Sequence, residues 1–511
     1  HNFPLRDYII YELHVGTFTP AGTFEAVIPR LADLKDLGIT AIELMPVAQF
    51  PGDRNWGYDG VYPYAVQHSY GGPNGLKKLV DACHQQGLAV ILDVVYNHFG
   101  PEGNYAWAYG PYFTDRYKTP WGSALNFDDR HSDGARNLIM QNALYWLREY
   151  HIDALRLDAV HAIYDFGAKH LLAELKETVT HWAEHVGRDV YLIAESDLND
   201  ARLLNAAIAG GYDLDAQWSD DFHHSLHVLL TGDQRGYYQD FADFAQFVKV
   251  WRESFIYTWQ YSAFRQRLHG NFAGHLPPSK FVVCIQNHDQ VGNQMLGDRL
   301  SQLVSFAALK LAAGAVILSP YVPLLFMGEE YAETAPFLYF ISHSDPELVD
   351  AVRQGRQREY ADFHTLGDPP DAASLETFQR SLLNWEARQT GQQQLMRSFY
   401  KRLIELRKTL ASINAPTRKG TSINSINDQQ LLSVYREHDS DHTLLVMNFN
   451  SESACWDQVI PAGEWQLQLD SAAAEWTGAA TQTTPEAPSI LVADQPLSLP
   501  PQSFVLYSGN L

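Results

Sequence analysis

Between residues 8 and 328 the chain alternates short apolar runs with helix-spaced segments, eight times over. The strand-like runs fall at 8–13 (YIIYEL), 41–45, 88–95, 152–157, 190–194, 212–217, 281–285 and 323–327. Helical spacing fills 24–37, which stops on Gly38, then 75–86 and 135–150. Eight β-α alternations over such a length are what a closed parallel barrel needs. Its usual size is ~250 residues, growing past 400 with insertions. An open doubly wound sheet usually shows a glycine-rich phosphate turn after its first strand, and no GxGxxG or P-loop occurs here. The fold class expected is therefore α/β, a closed (β/α)8 TIM barrel.

Residues 99–130, rich in Gly, Pro, Tyr and Trp, read as a subdomain inserted after the third strand. Beyond the eighth strand, 345–360 and 393–410 read as helices. From about 416 the pattern turns to alternation: 431–437 and 443–449 joined by a turn at HDSD, then 465–469 and 503–507. The expected domains are a catalytic barrel at 1–411, carrying the insertion, and a C-terminal antiparallel β-domain at 412–511.

Composition narrows the partners. The chain has 511 residues, 46% hydrophobic, without an apolar run long enough to cross a bilayer, so a soluble protein is expected. A formal net charge of -23 argues against nucleic acid and anionic membranes, which need a basic face. Cys83, Cys284 and Cys455 are far apart and form neither a disulfide framework nor a metal-ligand spacing, which fits a reducing, cytoplasmic setting. No signal peptide is visible, although the chain starts at His1 rather than Met. Aromatic residues reach 13%, a share that suits a sugar-binding cleft and a large core equally well. Oligomeric state is left open.

In such a barrel the chemistry sits at the C-terminal strand ends. Those ends read DVVYNH (Asp93 to His98), Arg156-Leu157-Asp158, Glu195 and Asn287-His288-Asp289. Alternation along the fourth strand turns Arg156 and Asp158 the same way. A carboxylate beside a permanent cation stays ionised, which suits a nucleophile; a structural ion pair is the plainer reading of an isolated Arg-x-Asp. Glu195, approached by Leu192-Ile193-Ala194 and lacking a cation beside it in sequence, is the better candidate for an acid of raised pKa. Two carboxyl groups flanking one bond are the recurrent requirement of glycoside hydrolysis. His98 and His288 are metal-ligand types, but no HxH or HExxH spacing occurs. Neutral histidines donating to sugar hydroxyls explain them more simply, so neither metal nor cofactor is expected.

The segments DVVYNH, ALRLDAV, AES and NHD, in that order, resemble the four signature regions of the α-amylase family, glycoside hydrolase family 13. The resemblance implies a retaining mechanism on α-glucosidic bonds. It makes Asp158 the nucleophile, Glu195 the general acid/base and Asp289 a stabiliser that distorts the sugar. It makes Arg156, His98 and His288 sugar contacts, and Tyr58 in WGYDG the aromatic platform. Asp93 takes a structural role. Residues 159–175, 217–233, 287–300 and 344–356 are similar to the trehalohydrolase group of that family. The implied substrate is malto-oligosyltrehalose, an α-glucan ending in trehalose. His161, Trp218, Gln290 and Asn293 lie in these segments and join the expected substrate contacts. Asp220, Asp221, His223 and His224 form a polar cluster after the sixth strand that suits a compact disaccharide; a solvated helix start is the bland alternative.

Three other readings stand beside this one. A glucan branching enzyme is disfavoured by His288-Asp289-Gln290, which departs from the HDE pattern of that group. An ordinary α-amylase would often hold calcium, for which Asn97 is a candidate ligand. A non-catalytic glucan-binding scaffold has no need of three carboxylates. Relatives of the trehalohydrolase group usually carry a β-sandwich domain ahead of the barrel, whereas here the barrel begins almost at once.

Overall fold

The computed structural model describes residues 2–119, 121–362, 368–477, 487–493 and 495–510. They form two compact units. One comprises His1–Trp218, Asn287–Asp298 and Ala335–Leu383; the other comprises Ser219–Gln286, Arg299–Thr334 and Asn384–Leu511.

Eight parallel strands close a barrel in sequence order: β1 (Ile10–Leu13), β2 (Ala41–Leu44), β3 (Ala89–Val94), β4 (Ala154–Leu157), β5 (Tyr191–Ala194), β6 (Ala216–Trp218), β7 (Phe281–Val283) and β8 (Val322–Phe326). Every residue of β3 is buried, as expected of a parallel strand covered on both faces. The helix Leu31–Leu37 stops where Gly38 adopts φ 109°, a left-handed turn that returns its N–H to Leu34 and Lys35.

β6 departs from the sequence reading. The run 212–217 is expected as strand, but only its end is one. The amides of Tyr212, Asp213 and Leu214 go instead to the carbonyls of Arg202, Asn205 and Leu203, and Asp215 is the first to reach β5, at Leu192. The local turn takes the hydrogen bonds that a longer strand would need.

Within the expected insertion, Phe113–Thr119 and Gly122–Leu125 pair as a bulged hairpin. The C-terminal region carries a six-stranded antiparallel sheet of β9 (Thr421–Ile426), β10 (Leu431–His438), β11 (Asp441–Asn448), β12 (Glu464–Asp470), β13 (Ile490–Val492) and β14 (Ser503–Asn510). The strand order is β9-β10-β11-β14-β12-β13. β10 and β11 turn through Asp439 and Ser440, with Asp439 at φ 53°. Trp456, Trp465, Leu444, Val446, Val505 and Tyr507 fill the core beside the sheet. Among the described residues no helix is long and apolar enough to cross a membrane.

Candidate active site

Arg156, fully buried on β4, is the hub of the site. Its Nη1 donates to both oxygens of Asp93 on β3, at 3.0 and 2.9 Å, and to Asp158 Oδ1 at 2.8 Å. Nη2 lies 3.5 Å from Glu195 Oε2. The guanidinium packs 4.4 Å from the ring of Trp218, the last residue of β6. Strand alternation places Arg156 and Asp158 on one side as expected, while β5 delivers Glu195 to the other nitrogen of the same cation. The sequence reading gave Glu195 no cation; the barrel supplies one from the neighbouring strand.

Two further donors fix the carboxylates. Asn97 Nδ2 donates to Asp158 Oδ2 at 2.7 Å and to its carbonyl at 2.9 Å. The Ala159 N–H donates to Glu195 Oε2 at 2.6 Å. Ala159 sits at φ 41°, a left-handed conformation costly for a residue with a Cβ, and that turn is what aims its amide at Glu195. Burial raises the Glu195 carboxyl above the usual range; Arg156 opposes the rise and Asp158 adds to it. Burial likewise lifts Asp93 to about 7 against the pull of Arg156.

A second chain of contacts runs through His288. Asn287 accepts the Gln290 N–H at 2.7 Å, capping the short helix His288–Gly292 and presenting His288 and Asp289 in its first turn. His288 Nδ1 meets Glu12 Oε1 at 2.5 Å, and its backbone N–H donates to Glu12 Oε2 at 2.9 Å. Nε2 faces the Tyr58 hydroxyl at 2.6 Å and lies 3.5 Å from Asp289 Oδ2. Tyr58 in turn donates to Asp93 Oδ2 at 2.6 Å. Burial works against a charge on His288, yet Glu12 and Asp289 carry it up to about 9. A neutral His288 was expected; its acidic partners pull towards the charged form.

Gly57 at φ 111° turns Tyr58 inward, and a Cβ there would stand 2.2 Å from the Pro46 carbonyl. His98 Nε2 meets the Tyr58 carbonyl at 2.9 Å and its Nδ1 meets Asn97 Oδ1 at 2.5 Å. Trp121, from the inserted hairpin, stacks on the His98 ring at 3.7 Å.

The other expected contacts spread outward. Asn293 Nδ2 reaches Asp289 Oδ1 at 3.4 Å and is itself held by Arg356 at 3.2 Å. Gln290 Oε1 is buried with no hydrogen-bond partner. His161 is exposed, 3.9 Å from Asp197, and its charge is felt at Glu195. In the second unit, Asp220 opens the helix Asp220–Thr231 partly exposed. The Asp221 carboxylate accepts the amides of Ile256 and Tyr257, at 2.6 and 3.4 Å. His223 and His224 are buried against His227, Tyr237, Tyr238 and Phe241.

Sequence reasoning passed over Glu12, Glu43, Trp121 and Arg356. Glu12 and Glu43 face each other in register on β1 and β2. Both were visible as single charges in apolar strands. Glu43 is fully buried with neither oxygen hydrogen-bonded, and burial, then Glu12 and Asp93, push its pKa up.

Residues 12–118 match the family model described as alpha amylase, catalytic domain. A malto-oligosyltrehalose trehalohydrolase of Saccharolobus solfataricus is 54% identical over 403 residues, 79% of this chain and 69% of that protein. The chain belongs to the malto-oligosyltrehalose trehalohydrolase family. A crystal structure from Salmonella typhimurium, described as that of an alpha amylase, superimposes with TM-score 0.88 at 35% identity, covering 99% of this chain and 82% of that one. A 1,4-alpha-glucan branching enzyme of Pseudoalteromonas atlantica is more distant, 28% identical over 70% of this chain and 50% of its own length. Membership of the trehalohydrolase family thus favours the main reading over the branching-enzyme alternative, and the resemblance to the α-amylase family holds.

Proposed function

We propose that this chain hydrolyses the α-1,4-glucosidic bond next to the terminal trehalose of malto-oligosyltrehalose, releasing free trehalose with retention at the new reducing end. The observation that carries the reading is the single guanidinium of Arg156 held between Asp158 at 2.8 Å and Glu195 at 3.5 Å, with the Glu195 carboxyl pushed up by burial. An ionised carboxylate and a protonated one beside the same bond are what a two-step displacement needs.

Asp158 attacks the anomeric carbon of the glucosyl unit, and Glu195 gives its proton to the departing trehalose oxygen. Glu195, now a carboxylate, takes a proton from water. The water oxygen bonds to the same carbon, and Asp158 leaves. Arg156 orients Asp158 for attack through its 2.8 Å hydrogen bond. Asp289, paired with the His288 cation, steadies the positive charge that develops on the sugar ring, and Tyr58, His98 and Arg356-held Asn293 frame that ring. Within the second unit, Asp220 is the partly exposed group of its cluster and the one proposed to meet trehalose, while Asp221, His223 and His224 are buried.

The domains follow the same reading: a catalytic barrel at 1–411 with the insertion 99–130, and a β-domain at 412–511. Cys83, Cys284 and Cys455 are in no disulfide among the described residues, which suits a reducing cytoplasm. Incubation with maltotriosyltrehalose is expected to give trehalose and maltotriose by chromatography. Branched glucan from amylose, with the trehalosyl substrate untouched, would overturn the reading in favour of a branching enzyme.

A further inference from the structure

Arg436 on β10 is 1% exposed, and none of Nε, Nη1 and Nη2 has a hydrogen-bond partner. A guanidinium stays charged at any physiological pH, so this is a buried cation with no acceptor. It lies 5.7 Å from the ring of Trp251, whose indole N–H is likewise buried and without a partner. Arg407 stands close enough for its charge to be felt at Arg436. Its guanidinium donates to the carbonyls of Ile317, Ser319 and Tyr321 at 2.8, 2.6 and 2.5 Å. Burial, then the Arg407 charge, depress the Arg436 group to about 9, which still leaves it cationic at neutral pH.

Isolated charge burial costs several kcal/mol even after relaxation, and a like charge beside it adds to the cost. What surrounds Arg436 offers donors. Thr443, directly opposite it on β11, shares the same sheet face. Its hydroxyl meets that of Ser412 at 2.9 Å; both residues are buried, and one hydroxyl proton of the pair is left to give. The Asp441 carboxylate at the start of β11 accepts the Ser412 amide at 2.7 Å and makes no hydrogen bond to Arg436. The unpartnered donors of Arg436 and Trp251, buried with the guanidinium 5.7 Å from the ring, call for an acceptor carrying negative charge.

We propose that Arg436, with the Thr443–Ser412 hydroxyl pair and Trp251, forms a buried site for a small monovalent inorganic anion of the chloride class. The anion would neutralise Arg436 and tie the C-terminal sheet to the segment that bears Trp251. Its role is structural, outside the residues that act on sugar.

The test uses the full chain in sodium bromide, sodium chloride and sodium gluconate at equal ionic strength. An anomalous bromide peak in contact with Arg436 is expected in crystals, with a melting temperature higher in chloride than in gluconate by on the order of 1–2 °C. In Arg436→Met that difference is expected to vanish. No bromide peak and equal melting temperatures would overturn the proposal. So would a halide effect that survives Arg436→Met, or a peak without any stability effect, which marks an adventitious ion only. The bromide map on the unmodified chain decides the matter even where the variant fails to fold.

Discussion

The phenol oxygen of Tyr58 stands 2.6 Å from Nε2 of His288, with the two rings stacked 5.2 Å apart. The Tyr58 hydroxyl also lies 2.6 Å from Asp93 Oδ2. Nδ1 on the far side of the ring faces the Glu12 carboxylate. Glu12 and Asp289 favour the charged imidazole against its burial and carry its pKa up to about 9. A positive ring next to Asp289 fixes the charge balance beneath the sugar site.

That cation has a stability signature. A histidine whose folded pKa is raised to about 9 stabilises fully below its unfolded value near 6.5 and loses that contribution as pH climbs through 9. Wild-type stability is expected to fall by at most ~3 kcal/mol from this group between those limits. Glu12→Gln should flatten the decline and lower the His288 pKa. Denaturant melts across pH 6 to 9.5 and imidazole NMR titration check both; an unchanged profile in the variant counts against the pairing.

The three strand-end carboxylates carry the chemistry, so Asp158→Asn, Glu195→Gln and Asp289→Asn should each lower kcat by on the order of a hundredfold or more. Circular dichroism and melting curves should stay near wild type, since each change keeps the side-chain shape. Normal turnover in any one of them would remove that residue from its assigned role.

Glu195 also sets the alkaline limb of the pH–rate profile. Its raised pKa keeps it protonated well past the usual carboxylate range, so kcat/KM should decline only at pH values above the ordinary glutamate pKa. Replacing Ala159 with its α-hydroxy counterpart, lactate, turns the amide into an ester and removes the N–H that holds Glu195 Oε2 at 2.6 Å while still allowing φ 41°, and the limb should move. An alkaline limb that stays in place in this variant would separate Glu195 from the proton transfer.

Much of this site was legible in the chain. Arg156, Asp158, Glu195 and His288 are polar residues at the ends of apolar runs, and strand alternation alone turns the first two together. The barrel follows from eight such runs. What stayed hidden depends on contacts far apart in sequence. Glu12 meets His288 across 276 residues, and Trp121 covers His98 only because the inserted hairpin folds back over it. The sixth strand was misjudged because competing turn bonds at Tyr212 to Leu214 leave no periodic trace. Arg436 lies within the alternating run 431–437, and its burial is set by packing partners such as Trp251 that the sequence does not place beside it.

Trp121 is 46% exposed and stacked on His98, an arrangement suited to an added aromatic face for the glucan. Trp121→Ala should raise KM by ~3- to 10-fold, the worth of one stacking contact, with kcat and melting temperature little changed. Initial-rate measurements on maltotriosyltrehalose read this directly, and an unaltered KM would take Trp121 out of the binding surface.

Glu43 is an acid whose folded pKa is raised, so its contribution runs opposite to that of a salt-bridged carboxylate: stability is lost as pH rises above its unfolded value. Glu43→Gln should melt within about 1 °C of wild type near pH 5 and above it at pH 8. A variant less stable at pH 8 would mean that the ionised carboxylate is used.

The most direct test of the central claim is to trap the glycosyl intermediate. Glu195→Gln given α-maltotriosyl fluoride can be attacked but cannot readily be deacylated, and peptide mass spectrometry of the quenched protein locates the sugar. The account predicts a maltotriosyl ester on Asp158. An ester on another carboxylate, or no adduct together with a β-configured product from the wild-type chain, would contradict it.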